Sequence, residues 1–72
     1  MQTISEKQFT LKELRARKDV TQEQAAKDLG VSTQTYNAWE KDISRVAISK
    51  VMKVADYFGV QLGDIFLPMN MN

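Results

Sequence analysis

Hydrophobic residues between positions 20 and 39 recur at three- and four-residue intervals, in two short segments separated by a glycine. In the first segment, Ala25, Ala26 and Leu29 form an apolar stripe at helical spacing. In the second, positions placed at intervals of about 100° separate Tyr36 and Trp39 on one face from a polar face. The spacing predicts two amphipathic helices, each of which packs through its apolar side.

Capping and turn residues mark the ends of these helices. Thr21 is a preferred N-cap residue, and Gln24 three positions later predicts a capping box. Gly30 accepts the left-handed conformation that ends a helix, and Ser32 is placed to cap the next one. We therefore expect a tight turn between two short helices, as in a helix-turn-helix motif.

Three further helices are predicted around this pair. The first spans residues 10–17, where Thr10 and Glu13 form a capping box. The fourth runs from about residue 47 to residue 58 and ends at Gly59. Its apolar residues are expected to face mainly inward: Ile48, Val51, Met52, Val54, Ala55 and Phe58. A short fifth helix is expected at residues 62–66. The predicted architecture is an all-α five-helix bundle at residues 9–67, with a polar arm at 1–8 and a tail at 68–72.

The outward face of the helix at residues 32–40 carries amides and hydroxyls in place of charges. Glutamine and asparagine amides can pair with two adenine atoms at once in the major groove, and small apolar groups can contact a thymine methyl. We interpret four residues as base readers: Thr33, Gln34, Asn37 and Ala38. For this helix alone, an ordinary solvated face is the better interpretation. The preceding helix and the glycine turn shift the balance towards DNA reading.

A family resemblance rests on seven residues of this region: Gln22, Ala26, Gly30, Val31, Tyr36, Trp39 and Glu40. They match the pattern of the lambda-repressor and Cro type of helix-turn-helix, often called XRE-like, and the resemblance extends over residues 9–67. It implies a sequence-specific double-stranded DNA-binding transcriptional regulator, a repressor, that reads the major groove with residues 32–40. Two departures are Asp42, where the family has glycine, and a non-proline around Val46. Since aspartate tolerates the left-handed region, the turn at Asp42 is expected to survive.

The resemblance also implies contacts outside the base-reading face. Arg15 is expected to pair with Glu40, which would tie the reading helix to the scaffold; the alternative is two unrelated surface charges. The N–H groups around Gln22 begin a helix and can hold a phosphate oxygen, and the resemblance implies a further bond from the Gln22 side chain. Phosphate contacts are assigned to five residues in all: Arg15, Gln22, Ser32, Lys41 and Arg45.

Composition narrows the classes of function. The 72 residues contain no cysteine and no histidine, so no disulfide and no metal site are expected. An enzyme and a cofactor are not expected either, because the chain has no glycine-rich phosphate loop and little room for a substrate cavity. No apolar run approaches the roughly 20 residues of a membrane span, which makes the cytoplasm the default location.

Net charge leaves a second function open. The chain carries only +1, with a basic excess at residues 1–18 that suits either a phosphate strand or a solvated helix end. The alternative is a protein-interaction module of the antitoxin or antirepressor kind, which would act mainly by binding another protein. The apolar residues near the C-terminus support it: Ile65, Phe66, Leu67, Met69 and Met71.

A homodimer on a palindromic operator is the expected assembly. One domain offers a single reading helix, which is too little contact for a tight specific site, and two copies would read half-sites about 34 Å apart. The fifth helix and the tail, with Phe66, Leu67 and Met69, are the predicted contact. The alternative is that the tail folds back over its own core.

Overall fold

The computed structural model describes residues 8–65 and has four α-helices within them. They are α1 (Leu11–Lys18), α2 (Gln22–Leu29), α3 (Thr33–Lys41) and α4 (Ile48–Phe58), followed by a 3₁₀ turn at Leu62–Asp64. The described range contains no strand, only an isolated parallel bridge between Phe9 and Ile65. The all-α prediction is confirmed.

The predicted count of five α-helices is wrong, because the last element is a single 3₁₀ turn. Its hydrogen bonds span three residues, from Asp64 to Gln61 (2.9 Å) and from Ile65 to Leu62 (3.1 Å). Ile65 then becomes extended, and the Phe9 N–H donates to the Asp64 carbonyl over 2.7 Å. The two ends of the described chain are thereby joined. The predicted continuation to residue 66 lies outside the described residues.

The first three helices begin at hydroxyl N-caps, each accepting a hydrogen bond from the backbone N–H three residues later: Thr10, Thr21 and Ser32. At α1 the predicted capping box is complete, since the Glu13 carboxylate accepts from the Thr10 N–H over 2.8 Å. At α2 the predicted box is wrong in its second half. The Gln24 amide instead donates to Asp28, one turn further along the helix, over 2.8 Å.

The ends of α2 and α3 differ in backbone conformation. Gly30 has φ +77°, the left-handed conformation predicted for it, and Gly59 ends α4 in the same way at φ +73°. Asp42 was expected to take the left-handed region and does not: it is extended, at φ −163° and ψ 102°. Its carboxylate instead accepts the Ser44 N–H (2.9 Å) and hydroxyl (2.6 Å). This side-chain turn closes the loop, and the hydrogen bonds lower the pKa of Asp42.

The core lies where α1, α2, α3 and α4 meet, and its buried residues are Leu11, Leu14, Ala25, Ala26, Tyr36, Ile43, Val51, Val54, Ala55 and Ile65. Two residues predicted to face inward from α4 do not: Ile48 is 57% exposed and Met52 is 54% exposed. They share one side of α4, next to the Val51 and Ala55 row, and no described element covers that side. The apolar arc of α4 is wider than its packing surface.

Tyr36, and not Trp39, is the central aromatic residue. Tyr36 is completely buried, whereas Trp39 is only half-buried at the edge of the core. Their rings meet edge to face with centroids 6.4 Å apart. The predicted face of α3 is right, since both aromatic residues turn towards the core.

Candidate nucleic-acid interface

The polar face of α3 is open to solvent. Thr33, Gln34, Ala38 and Lys41 are exposed and Asn37 is half-buried, while Tyr36 anchors the opposite side in the core. The structure therefore brings all four predicted base readers to one accessible helix face. This face is uncharged except for Lys41 at its C-terminal end.

An ion pair joins α1 to the end of α3. The Arg15 Nε donates to Glu40 Oε2 over 2.6 Å, and Nη2 donates to Oε1 over 3.4 Å. The Arg15 Nη1 also donates to the Val20 carbonyl over 3.2 Å. The two side chains are 19% and 8% exposed, so water screens the pair only weakly.

Two amides extend this pair towards the exposed face. The Gln22 Nε2 donates to Glu40 Oε1 over 2.9 Å, and the Asn37 Nδ2 donates to Gln22 Oε1 over 3.2 Å. A continuous chain of hydrogen bonds thus runs from Arg15 on α1, through Glu40 and Gln22, to Asn37 on α3. We call these four residues the amide relay.

Electrostatics keep the Glu40 carboxylate ionised. Burial acts to raise the pKa of Glu40. The hydrogen bonds that Arg15 and Gln22 donate to it, together with the nearby Tyr36 hydroxyl, outweigh burial and lower this pKa. The hydrogen bond with Glu40 raises the pKa of Arg15 in turn. The pKa of Tyr36 is raised, first by burial and then by Glu40. Its hydroxyl lies beside the pair, without full hydrogen-bond geometry to any described residue.

The other predicted phosphate residues are not part of the relay. The Ser32 hydroxyl accepts from the Thr35 N–H (3.0 Å) and donates to the Thr35 hydroxyl (2.9 Å), so a phosphate contact would have to displace the second bond. Lys41 is exposed at the end of α3, and Arg45 is exposed in the α3–α4 loop. Both are accessible to a ligand.

Sequence reasoning missed the two amide contacts. It assigned Gln22 to phosphate and Asn37 to bases, but did not join them. One signal was available: Asn37 and Glu40 are three residues apart and so share a side of α3. In the structure, the first turn of α2 lies against that side.

Two chemical features are lacking in residues 8–65. No group of three or more acidic, histidine or cysteine side chains there is arranged to hold a metal ion. No helix there is long and apolar enough to cross a membrane.

Comparison with known proteins shows the family to which the chain belongs. Residues 11–65 match the profile of a helix-turn-helix family. The chain is 46% identical over 57 residues to an uncharacterized HTH-type transcriptional regulator of Methanocaldococcus jannaschii. The match covers 79% of this chain and 86% of that regulator. No solved structure matches the chain.

A second relative is the transcriptional repressor RstR of cryptic phage CTXphi from Vibrio cholerae, 33% identical over 55 residues. The match covers 76% of this chain but only half the length of that repressor. The chain belongs to the helix-turn-helix family of the XRE and Cro type, whose relatives here are named as transcriptional regulators.

Proposed function

We propose that this protein is a transcriptional repressor that binds a specific double-stranded DNA sequence, with α3 in the major groove. The observation that carries the proposal is the exposed amide and hydroxyl face of α3, held from behind by the buried Tyr36 and by the Arg15–Glu40 pair. A reading helix has to be rigid relative to its scaffold, because base contacts depend on precise placement. As a DNA-bound regulator, the protein would act in the cytoplasm.

Base reading is assigned to the middle of this face. Gln34 and Asn37 carry amides that match the donor and acceptor pattern of adenine, whereas Thr33 and Ala38 offer methyl groups to thymine. Gln34 is exposed and supports no core contact, so it is the cleanest position at which to test reading.

Phosphate contacts would flank the reading helix. The Arg15 guanidinium has five N–H donors, of which three are engaged with Glu40 and Val20, so two more can donate to a phosphate oxygen. Gln22 would contribute the backbone N–H at the start of α2 and the second N–H of its Nε2, since the relay uses only one of the two Nε2 hydrogens. Lys41 and Arg45 supply positive charge beside the groove.

Selection from random duplex DNA tests this function directly. We expect the protein to enrich a defined sequence and its affinity for random duplex to fall steeply with added salt, because phosphate binding releases counterions. Gln34→Ala should relax one position of the selected sequence by about 1–3 kcal/mol of discrimination. Gln24→Ala is the matched control, because Gln24 is also an exposed glutamine but lies on α2. Unchanged stringency in Gln34→Ala would remove Gln34 from the readers.

The repressor would bind a palindromic operator as a homodimer. One copy presents a single reading helix, and specific protein–DNA interfaces of high affinity need more contact than one such module offers. The predicted contact residues Phe66, Leu67 and Met69 lie outside the described residues. Within them, a shallow groove runs from Met52 on α4 to Leu62 on the 3₁₀ turn, with Asp56 and Gln61 among its lining residues, and a second copy is the proposed occupant.

A protein-interaction module of the antitoxin or antirepressor kind is the second candidate. The exposed Ile48 and Met52 favour it, as does a net charge of only +1. The same binding assay separates the two functions. A protein that selects no sequence and shows no salt-dependent affinity for duplex DNA would act through a protein partner.

A further inference from the structure

We infer that Gln22 is a positioning residue: held by Glu40, it sets the orientation of the Asn37 amide and thereby the base that Asn37 selects. The inference rests on the proposed DNA-reading function and extends it to the origin of specificity. Gln22 touches no base in this scheme; it acts through Asn37.

The argument begins with the chemistry of Glu40. An ionised carboxylate only accepts hydrogen bonds, so it can be satisfied by the Nε2 end of the Gln22 amide and not by the oxygen end. With Nε2 committed over 2.9 Å, the Gln22 Oε1 points the other way, towards Asn37. Only the Nδ2 end of Asn37 can donate to that oxygen, and it does so over 3.2 Å.

The relay therefore leaves Asn37 with one free N–H and a free Oδ1. These two groups match adenine, which presents an N6 donor and an N7 acceptor in the major groove. Guanine presents two acceptors, O6 and N7, and would leave Oδ1 facing an acceptor. An amide that rotates freely can adapt its donors and acceptor to either purine, whereas an amide held in this orientation favours adenine.

Burial makes the orientation persistent. The Glu40 side chain is 8% exposed and Arg15 neutralises it from the other side, so the acceptor-only state is stable near neutral pH. Asn37 is half-buried beside Gln22, yet remains on the face of α3 that is open to a ligand. No other described side chain is hydrogen-bonded to the Asn37 amide.

The first test needs no DNA. In wild-type protein, NMR spectra of the side-chain amides should show one Asn37 amide proton protected from exchange with water. Gln22→Ala removes the link while leaving the Arg15–Glu40 pair in place, and should abolish this protection. Gln24→Ala removes an amide that bonds to Asp28 within α2, and it should leave the protection of Asn37 unchanged. An unprotected Asn37 amide in the wild type would overturn the inference.

The second test measures the ratio of affinities for operators carrying adenine or guanine at the position that Asn37 faces. An oriented amide should give roughly ten- to one-hundred-fold preference for adenine. Gln22→Ala should lower this ratio to that of Asn37→Ala, and the double variant should lose nothing more. Gln24→Ala should keep the full ratio.

Two contrary results have different meanings. If Asn37→Ala lowers the ratio and Gln22→Ala does not, Asn37 reads DNA without the relay, and the inference is wrong while the proposed function stands. If Asn37→Ala leaves every base preference unchanged, Asn37 selects no base. The inference then fails together with that assignment in the proposed function, even where the NMR protection is found.

Discussion

Arg15 and Glu40, which are 25 residues apart in the chain, form the ion pair that fastens the reading helix α3 to α1. The pair is mostly shielded from water, and Glu40 also holds the first link of the amide relay. Its position at the C-terminal end of α3 means that the same contact stabilises the fold and orients the candidate interface.

Arg15→Ala should destabilise the protein strongly. Removing the guanidinium leaves Glu40 as a largely buried charge without its partner, and such losses cost about 3–5 kcal/mol. We expect urea denaturation to show a loss near the lower end of this range, since Arg15 itself is 19% exposed. Lys12→Ala removes an exposed charge from the same helix and should change little. Equal midpoints for the two variants would mean that the pair is energetically minor.

Tyr57 on α4 donates to Asp28 on α2 over 2.7 Å, and this contact makes stability depend on pH in the alkaline range. Burial and the hydrogen bond to Asp28 raise the pKa of Tyr57 to about 12, above its ordinary value of about 10. Because the folded-state pKa is the higher one, the stabilisation is complete below pH about 10 and is lost as pH rises through 12.

Absorbance titration of the tyrosinates and denaturation between pH about 9 and 12 measure this effect. Tyr57→Phe should remove part of the alkaline loss of stability, and the part that remains includes the contribution of Tyr36, whose pKa burial also raises. Asp28→Asn should lower the pKa of Tyr57 towards its ordinary value. A wild-type Tyr57 that ionises near pH 10 would contradict the assignment.

Tyr36→Ala should cost more stability than Trp39→Ala, although tryptophan is the larger residue. Tyr36 is fully buried, and truncating a buried aromatic costs about 3–5 kcal/mol. Trp39 is half-buried and loses only part of its transfer free energy. Thermal melts followed by circular dichroism give the order, and a reversed order would place Trp39 at the centre of the core.

Local features of this fold could be predicted from the sequence. Thr10, Thr21 and Ser32 cap their helices through backbone atoms only three residues away, and Gly30 needs only its own conformational freedom. Such signals depend on neighbours in the chain. The all-α class and the exposed face of α3 follow from the same short-range periodicity.

Features set by packing between helices could not be predicted. The exposure of Ile48 and Met52 depends on how much of α4 its neighbours cover, which periodicity does not encode. Asp42 occupies a position at which the family has glycine. Its carboxylate accepts a hydrogen bond from the Ser44 N–H, and the resulting turn avoids the left-handed region. The Asn37–Gln22 bond depends on the angle between α2 and α3.

Met52→Glu should weaken binding to a palindromic operator without weakening binding to a single half-site. Met52 is 54% exposed and begins the groove that runs to Leu62, where a second copy is the proposed occupant. A carboxylate there would be buried without a partner in the dimer, whereas an isolated copy would keep it in water. Ser49→Glu introduces the same charge at an exposed position on α4 and serves as the control.

Gel-shift titrations on the full and half operators, together with sedimentation of the complexes, distinguish the outcomes of this experiment. If Met52→Glu alone reduces cooperativity on the palindrome, the groove is the dimer contact. If both variants lose affinity equally on both DNAs, the effect is repulsion between the added charge and phosphate, which acts on every bound copy. If the sequence that the wild type selects is itself asymmetric and of half length, and the protein sediments on it as one copy, two-fold pairing is wrong, and the operator is read by a single α3.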